Sequence, residues 1–137
     1  MVTFVRNSSN YMKLLFTLLG VLMLVLTACK SEKERASQVL NDFFEKIAER
    51  NFAAARLLAT SSSTSTLDLL EIAVRTDPNE ALKYNNSQKV YGSIEIKDSI
   101  ASIPVLENEI TTTYVLKKEN GTWKVAFEKD LIFWNSH

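Results

Sequence analysis

The ten residues Leu116–Val125, LKKENGTWKV, constrain the fold more than any other stretch of the chain. Asparagine and glycine both accept positive φ, so Asn120-Gly121 predicts a two-residue type I′ turn between antiparallel strands. Such a turn leaves no freedom of register. Glu119 faces Thr122, Lys118 faces Trp123, Lys117 faces Lys124, Leu116 faces Val125 and Tyr114 faces Phe127. Every second pair is then apolar, as one buried sheet face requires. A turn one residue longer would send the two apolar sets to opposite sides. Lys117 opposite Lys124 is mildly unfavourable and belongs on the solvent side.

Ile110–Lys118 and Thr122–Glu128 are thus read as the last two strands. Upstream, Val90, Ile94 and Ile96 alternate with Tyr91, Ser93, Glu95 and Lys97, and Ala101, Ile103 and Val105 alternate beyond a turn near Asp98-Ser99. The pattern predicts four strands in a meander. Pro104 has no N–H for a ladder, which places it at an edge or a bulge.

The preceding half is helical. Ala36, Val39, Leu40, Phe43, Phe44 and Ile47 fall at the spacing of one helix face. Asn51 breaks the pattern, and Phe52–Ala59 reads as a second, short helix. Thr60–Thr66, TSSSTST, has no apolar residue and predicts a solvated loop. Ser65 with Asp68 predicts a capping box opening a helix through Leu67, Leu70, Ala73 and Val74. Asp77-Pro78-Asn79-Glu80 predicts a further helical turn to about Tyr84, with proline at its first position. Asn85–Gln88 ends the helical half.

The 137 residues suffice for one domain. Ahead of it, LLFTLLGVLMLVLTACK, Leu14–Lys30, places sixteen uncharged residues between Lys13 and Lys30 and ends on the only cysteine, Cys29. As a helix they reach roughly 24 Å, short of the roughly 30 Å hydrocarbon core. Basic residues, an apolar run and a small-residue end predict a secretory signal over residues 1–28. Met12-Lys13 would open a tidier amino-terminal region than Met1. Residues 29–35, CKSEKER, read as a charged tether, and 36–137 as the folded domain. Cleavage before Cys29 leaves 109 residues with fourteen basic and sixteen acidic side chains, net −2. That balance gives no clustered basic face for nucleic acid. One cysteine allows no internal disulfide.

Leu26-Thr27-Ala28-Cys29 resembles the lipobox of bacterial lipoproteins. The resemblance implies lipidation of Cys29 through a diacylglycerol thioether, cleavage before it, and attachment to the cell membrane on its extracytoplasmic side. Lys30 after the cysteine implies the outer membrane in a diderm organism. Two or more acyl chains, each buried CH₂ contributing about 0.8 kcal/mol, anchor stably where one is marginal. The helices followed by four strands are similar to the cystatin-like, nuclear-transport-factor-2-like superfamily, and to small bacterial lipoproteins carrying a domain of unknown function on that fold. Val39–Ala59 resembles the family's opening helix and its turn into a second. Thr113–Val125 resembles its closing hairpin. The opening motif usually has Gly-Asp before the aromatic, where this chain has Arg50-Asn51-Phe52. The resemblance implies an α+β fold, helices laid on a curved four-stranded antiparallel sheet that closes into a cone.

Chemistry is sparse. His137 is the only histidine and sits at the end, against a nucleophilic triad or a histidine metal site. Gly92 and Gly121 are too scattered to cradle phosphate. Ketosteroid-isomerase-like members of the superfamily place an acid and a tyrosine inside the cone. Here the expected inner face holds Phe43, Ile47, Tyr114, Leu116, Trp123, Val125 and Phe127 and no acid, and Glu95 and Glu128 fall on the polar side. Tyr84, Tyr91 and Tyr114 are the polar handles. Phe43, Phe44, Tyr114, Trp123 and Phe127 are the residues expected to form either core or the lining of a pocket. Leu131–Trp134, LIFW, either extends the last strand or forms an apolar patch for a partner or a second copy. The expected role is a binding or interaction module, tied to the membrane through Cys29, for a protein partner or a small apolar ligand. No cofactor, metal or catalysis is expected. The alternatives are an isomerase-like enzyme or a structural subunit of an envelope complex.

Overall fold

The computed structural model describes residues 11–13, 16 and 30–128. The chain divides into two units, Met1–Ser31 and Glu32–His137. In the first, residues 11–13 and 16 are helical. No helix among the described residues is long and apolar enough to cross a membrane. The second unit is α+β, with helices followed by an open antiparallel sheet of five strands. Cys29 and Leu131–Trp134 lie outside the described residues.

Helix α1, Glu32–Ala48, buries Ala36, Leu40, Phe43, Phe44 and Ile47, the face set by the apolar period. It starts four residues before that period does, so Glu32–Arg35 of the expected tether form its first turn. Glu32 and Glu34 suit the positive end of the helix dipole. Glu32 is also held from across the domain. It accepts a hydrogen bond from Trp123 Nε1 at 2.9 Å and lies 2.9 Å from Lys118 Nζ. Lys118 and Trp123 hold its carboxyl below the usual range.

The helix closes with Asn51 N–H donating to the Lys46 carbonyl and Arg50 N–H to that of Ile47, both at 2.8 Å, and Arg50 at φ 61°. This paired closure normally employs glycine at the left-handed position. Asn51 then caps α2, Phe52–Leu58, its side chain accepting from Ala54 N–H at 3.1 Å. Apart from asparagine and aspartate, which tolerate this left-handed region, Glu109 at φ 67° is the second such side chain among the described residues. Arg50→Gly and Glu109→Gly are each expected to stabilise by about 0.5–1 kcal/mol, relief of left-handed strain outweighing the extra freedom of the unfolded chain. Denaturation midpoints check this, and a lowered midpoint in both would contradict it.

The serine- and threonine-rich segment is not a solvated loop. Ser61–Ser63 form a 3-10 turn, and α3 runs Thr64–Thr76. Thr60, Ser63 and Thr66 are buried. Ser63 Oγ accepts from Phe127 N–H at 2.8 Å and donates to the Val125 carbonyl at 3.3 Å, and Thr60 Oγ1 lies 2.7 Å from it. Thr60 N–H also donates to the Val125 carbonyl at 2.9 Å. Hydroxyls that satisfy each other and a strand end can be buried without an orphaned polar group. The helix therefore starts at Thr64, and Ser65 with Asp68 is no capping box. Asp68 and Glu71 instead hold Arg56 of α2, the former at 2.7 Å. Asp77 does cap Pro78–Tyr84, which is 3-10 in form.

The strands are β1 Val90–Tyr91, β2 Glu95–Lys97, β3 Ile100–Glu107, β4 Ile110–Glu119 and β5 Thr122–Ala126. The sheet order is β1-β3-β4-β5, with β2 also on β3. The first expected strand is thus two. Tyr91 pairs with Val105 and Glu95 with Ser102, so three residues stand against two. Pro104, inside the sheet rather than at its edge, causes the break. Its carbonyl accepts from Gly92 N–H at 2.7 Å, but it returns no donor on that side. A Cβ on Gly92 would lie 2.8 Å from Pro104 Cγ. The β4–β5 register is Glu119 with Thr122, Lys118 with Trp123, Lys117 with Lys124 and Leu116 with Val125. Asn120 and Gly121 take φ 51° and 75°, as a type I′ turn demands.

Candidate functional site

Four of the five aromatics expected as core or pocket are core. Phe43, Phe44, Trp123 and Phe127 are at most 4% exposed. Phe43 packs on Phe127 with centroids 5.4 Å apart, and Phe44 meets Tyr114 edge to face at 4.9 Å. Such pairs add to the burial of the rings. The fifth, Tyr114, is also buried but forms part of the floor of a cleft.

The cleft lies where the β3–β4 turn faces the 3-10 segment Pro78–Tyr84, and it measures about 470 Å³. That is the size of a small-molecule site. Val105 and Tyr114 form its floor. Leu82 on one wall and Ile110 on the other are about three-fifths exposed. Asn79, Lys83, Gln88, Glu107, Asn108 and Thr112 supply polar groups. Asn108 and Glu109, at φ 48° and 67°, make the tight turn that brings β3 back as β4 beside it.

The spacing of the two walls is set by Lys89, whose side chain is 1% exposed. Its ammonium donates to the carbonyls of Lys83 at 2.8 Å and Asn85 at 3.2 Å, and to Glu107 Oε1 at 2.7 Å. It also stands 5.3 Å from the Phe44 ring centre. Three donors thus meet three acceptors, which a buried charge needs. The Lys83–Asn85 backbone is thereby fastened to β3.

Neither Lys89 nor Glu107 was singled out from the sequence, and the expected inner face held no acid. The signal for Glu107 was available. It continues the alternation Ala101, Ile103, Val105 on the inward side of β3. The signal for Lys89 was not, since a lysine after NNSQ reads as solvated. Glu95 and Glu128 are exposed.

Burial pushes the Tyr114 phenol up to about 12 and that of Tyr84 further still. Both remain neutral at ordinary pH and can act only as hydroxyls. Burial likewise raises Tyr91 to about 12, and its hydroxyl donates to Asn86 Oδ1 at 3.2 Å, away from the cleft. Glu107 faces the cleft as a carboxylate already bonded to an ammonium. The site can therefore accept hydrogen bonds, cover an apolar surface and stack on an aromatic floor.

Among the described residues no group of three or more histidine, cysteine, aspartate or glutamate side chains could hold a metal ion. No protein-family model matches the chain, and no curated protein and no solved structure is significantly similar to it.

Proposed function

We propose that this chain is a lipid-anchored, extracytoplasmic lipoprotein whose nuclear-transport-factor-2-like domain binds a small, partly apolar ligand in the cleft and performs no catalysis. The cleft carries the reading: a concave site of about 470 Å³ in which an aromatic floor and the apolar side chains Leu82 and Ile110 stand among polar groups. The family resemblance gains support at Arg50. It stands where the resembled motif has glycine, and it adopts the left-handed conformation that glycine would serve. Helix α1 also covers the sheet face that a cystatin-like cone would enclose. The anchor rests on Leu26-Thr27-Ala28-Cys29. Against an isomerase-like role stands the pairing of Glu107, the carboxylate lining the cleft, with a fully buried lysine.

The experiment has two arms. Cys29→Ala is expected to abolish metabolic labelling with palmitate and leave uncleaved precursor; undiminished labelling would overturn the anchor. Anilinonaphthalene sulfonate, used as an apolar probe, is expected to brighten in the cleft. Leu82→Glu with Ile110→Glu should reduce that signal severalfold without lowering the melting temperature, both side chains being largely exposed. An unchanged signal would overturn the site.

A further inference from the structure

We propose that the domain stands on the lipid surface on the end that holds Glu32, Lys118 and Trp123, so that the cleft opens away from the membrane and takes its ligand from the aqueous phase. This rests on the lipid anchor proposed above. Helix α1 begins at Glu32, so only Lys30 and Ser31 separate it from Cys29. Three residues from Cys29 to Glu32 span at most about 11 Å. Glu32 meets Trp123 Nε1 and Lys118, which places the start of the helix at this end of the sheet. The acylated residue is thus confined near the β4–β5 turn. The surface there mixes Lys97, Lys117 and Lys124 with Asp98 and Glu119. Neither anionic nor zwitterionic headgroups are repelled, and the tether alone presses this end to the bilayer.

The cleft is at the other end of the same strands. Ile110 opens β4 at the cleft wall, and Lys118, opposite Trp123, lies eight residues along it. At the rise of an antiparallel strand this separates them by about 26 Å. A ligand drawn from the acyl region could not reach a site so placed without leaving the membrane.

The test uses the acylated, full-length protein in phosphatidylcholine vesicles carrying a nitroxide on the headgroup. Thr122→Cys and Thr111→Cys mark the two ends with exposed residues outside the tight turns. Each variant is labelled with a fluorophore, with Cys29 blocked by its lipid. Quenching severalfold stronger at residue 122 than at 111 is expected, and unchanged when anionic lipid is added. Equal quenching, or stronger quenching at 111, with lipid on Cys29 verified by mass, overturns the orientation alone. A bare Cys29 thiol by mass overturns the anchor, and the orientation with it.

Discussion

Trp123→Ala is expected to destabilise the domain by about 3–5 kcal/mol, the range for emptying a buried aromatic site. Trp123 is 4% exposed, bonds Glu32 through Nε1 and lies under Lys118, whose Nζ is 5.0 Å from the ring. Removing it leaves a void beneath β5 and takes a donor from the Glu32 carboxylate. In a domain of this size each kcal/mol shifts the melting temperature by roughly 4–8 °C, so a fall of more than about 12 °C should be seen. Trp123→Phe separates the two contributions. It retains most of the ring and loses the hydrogen bond to an exposed carboxylate, so its melting temperature should fall much less than that of Trp123→Ala. Melting of Trp123→Ala within a few degrees of the parent would mean that the hairpin does not close the core.

That hairpin was legible because one turn and one alternation specify the same register independently. Asn120-Gly121 fixes the loop length, and the Leu116–Val125 pair verifies which face is buried. Helix α1 was equally plain from its apolar period. Sequence reading failed where long-range polar bonds decide the outcome. Thr60 and Ser63 look solvated until the end of β5 supplies their partners. The break between β1 and β2 was visible at Pro104 only as a choice between edge and bulge. The strand order, with β3 between β1 and β4, settles it as a bulge. For the site, the aromatics were readable as buried but not as core or pocket. That depends on the position of the 3-10 segment Pro78–Tyr84 over the sheet, which rests on Lys89, a residue with no local signature of burial.

The Lys89–Glu107 pair carries the second large prediction, an asymmetry between its members. Glu107→Leu is expected to destabilise by about 3 kcal/mol, because it strands a charge without its counter-ion. The Lys89 side chain is 1% exposed, so water cannot replace the carboxylate. Two carbonyls and the Phe44 face remain, and these are dipoles and a quadrupole rather than a compensating charge. Lys89→Met should cost only about 1 kcal/mol. Its thioether chain fills much of the same volume, while Glu107, with a side chain 29% exposed, can rehydrate in the cleft. The carbonyls of Lys83 and Asn85 each lose this donor. The double variant is then expected near Lys89→Met rather than near the sum of the two singles, since without the ammonium the loss of Glu107 strands nothing. Urea midpoints of the four proteins give the coupling directly. Equal costs for the two single variants, or a double variant at their sum, would show that the pair does not hold the cleft wall by burial of its lysine.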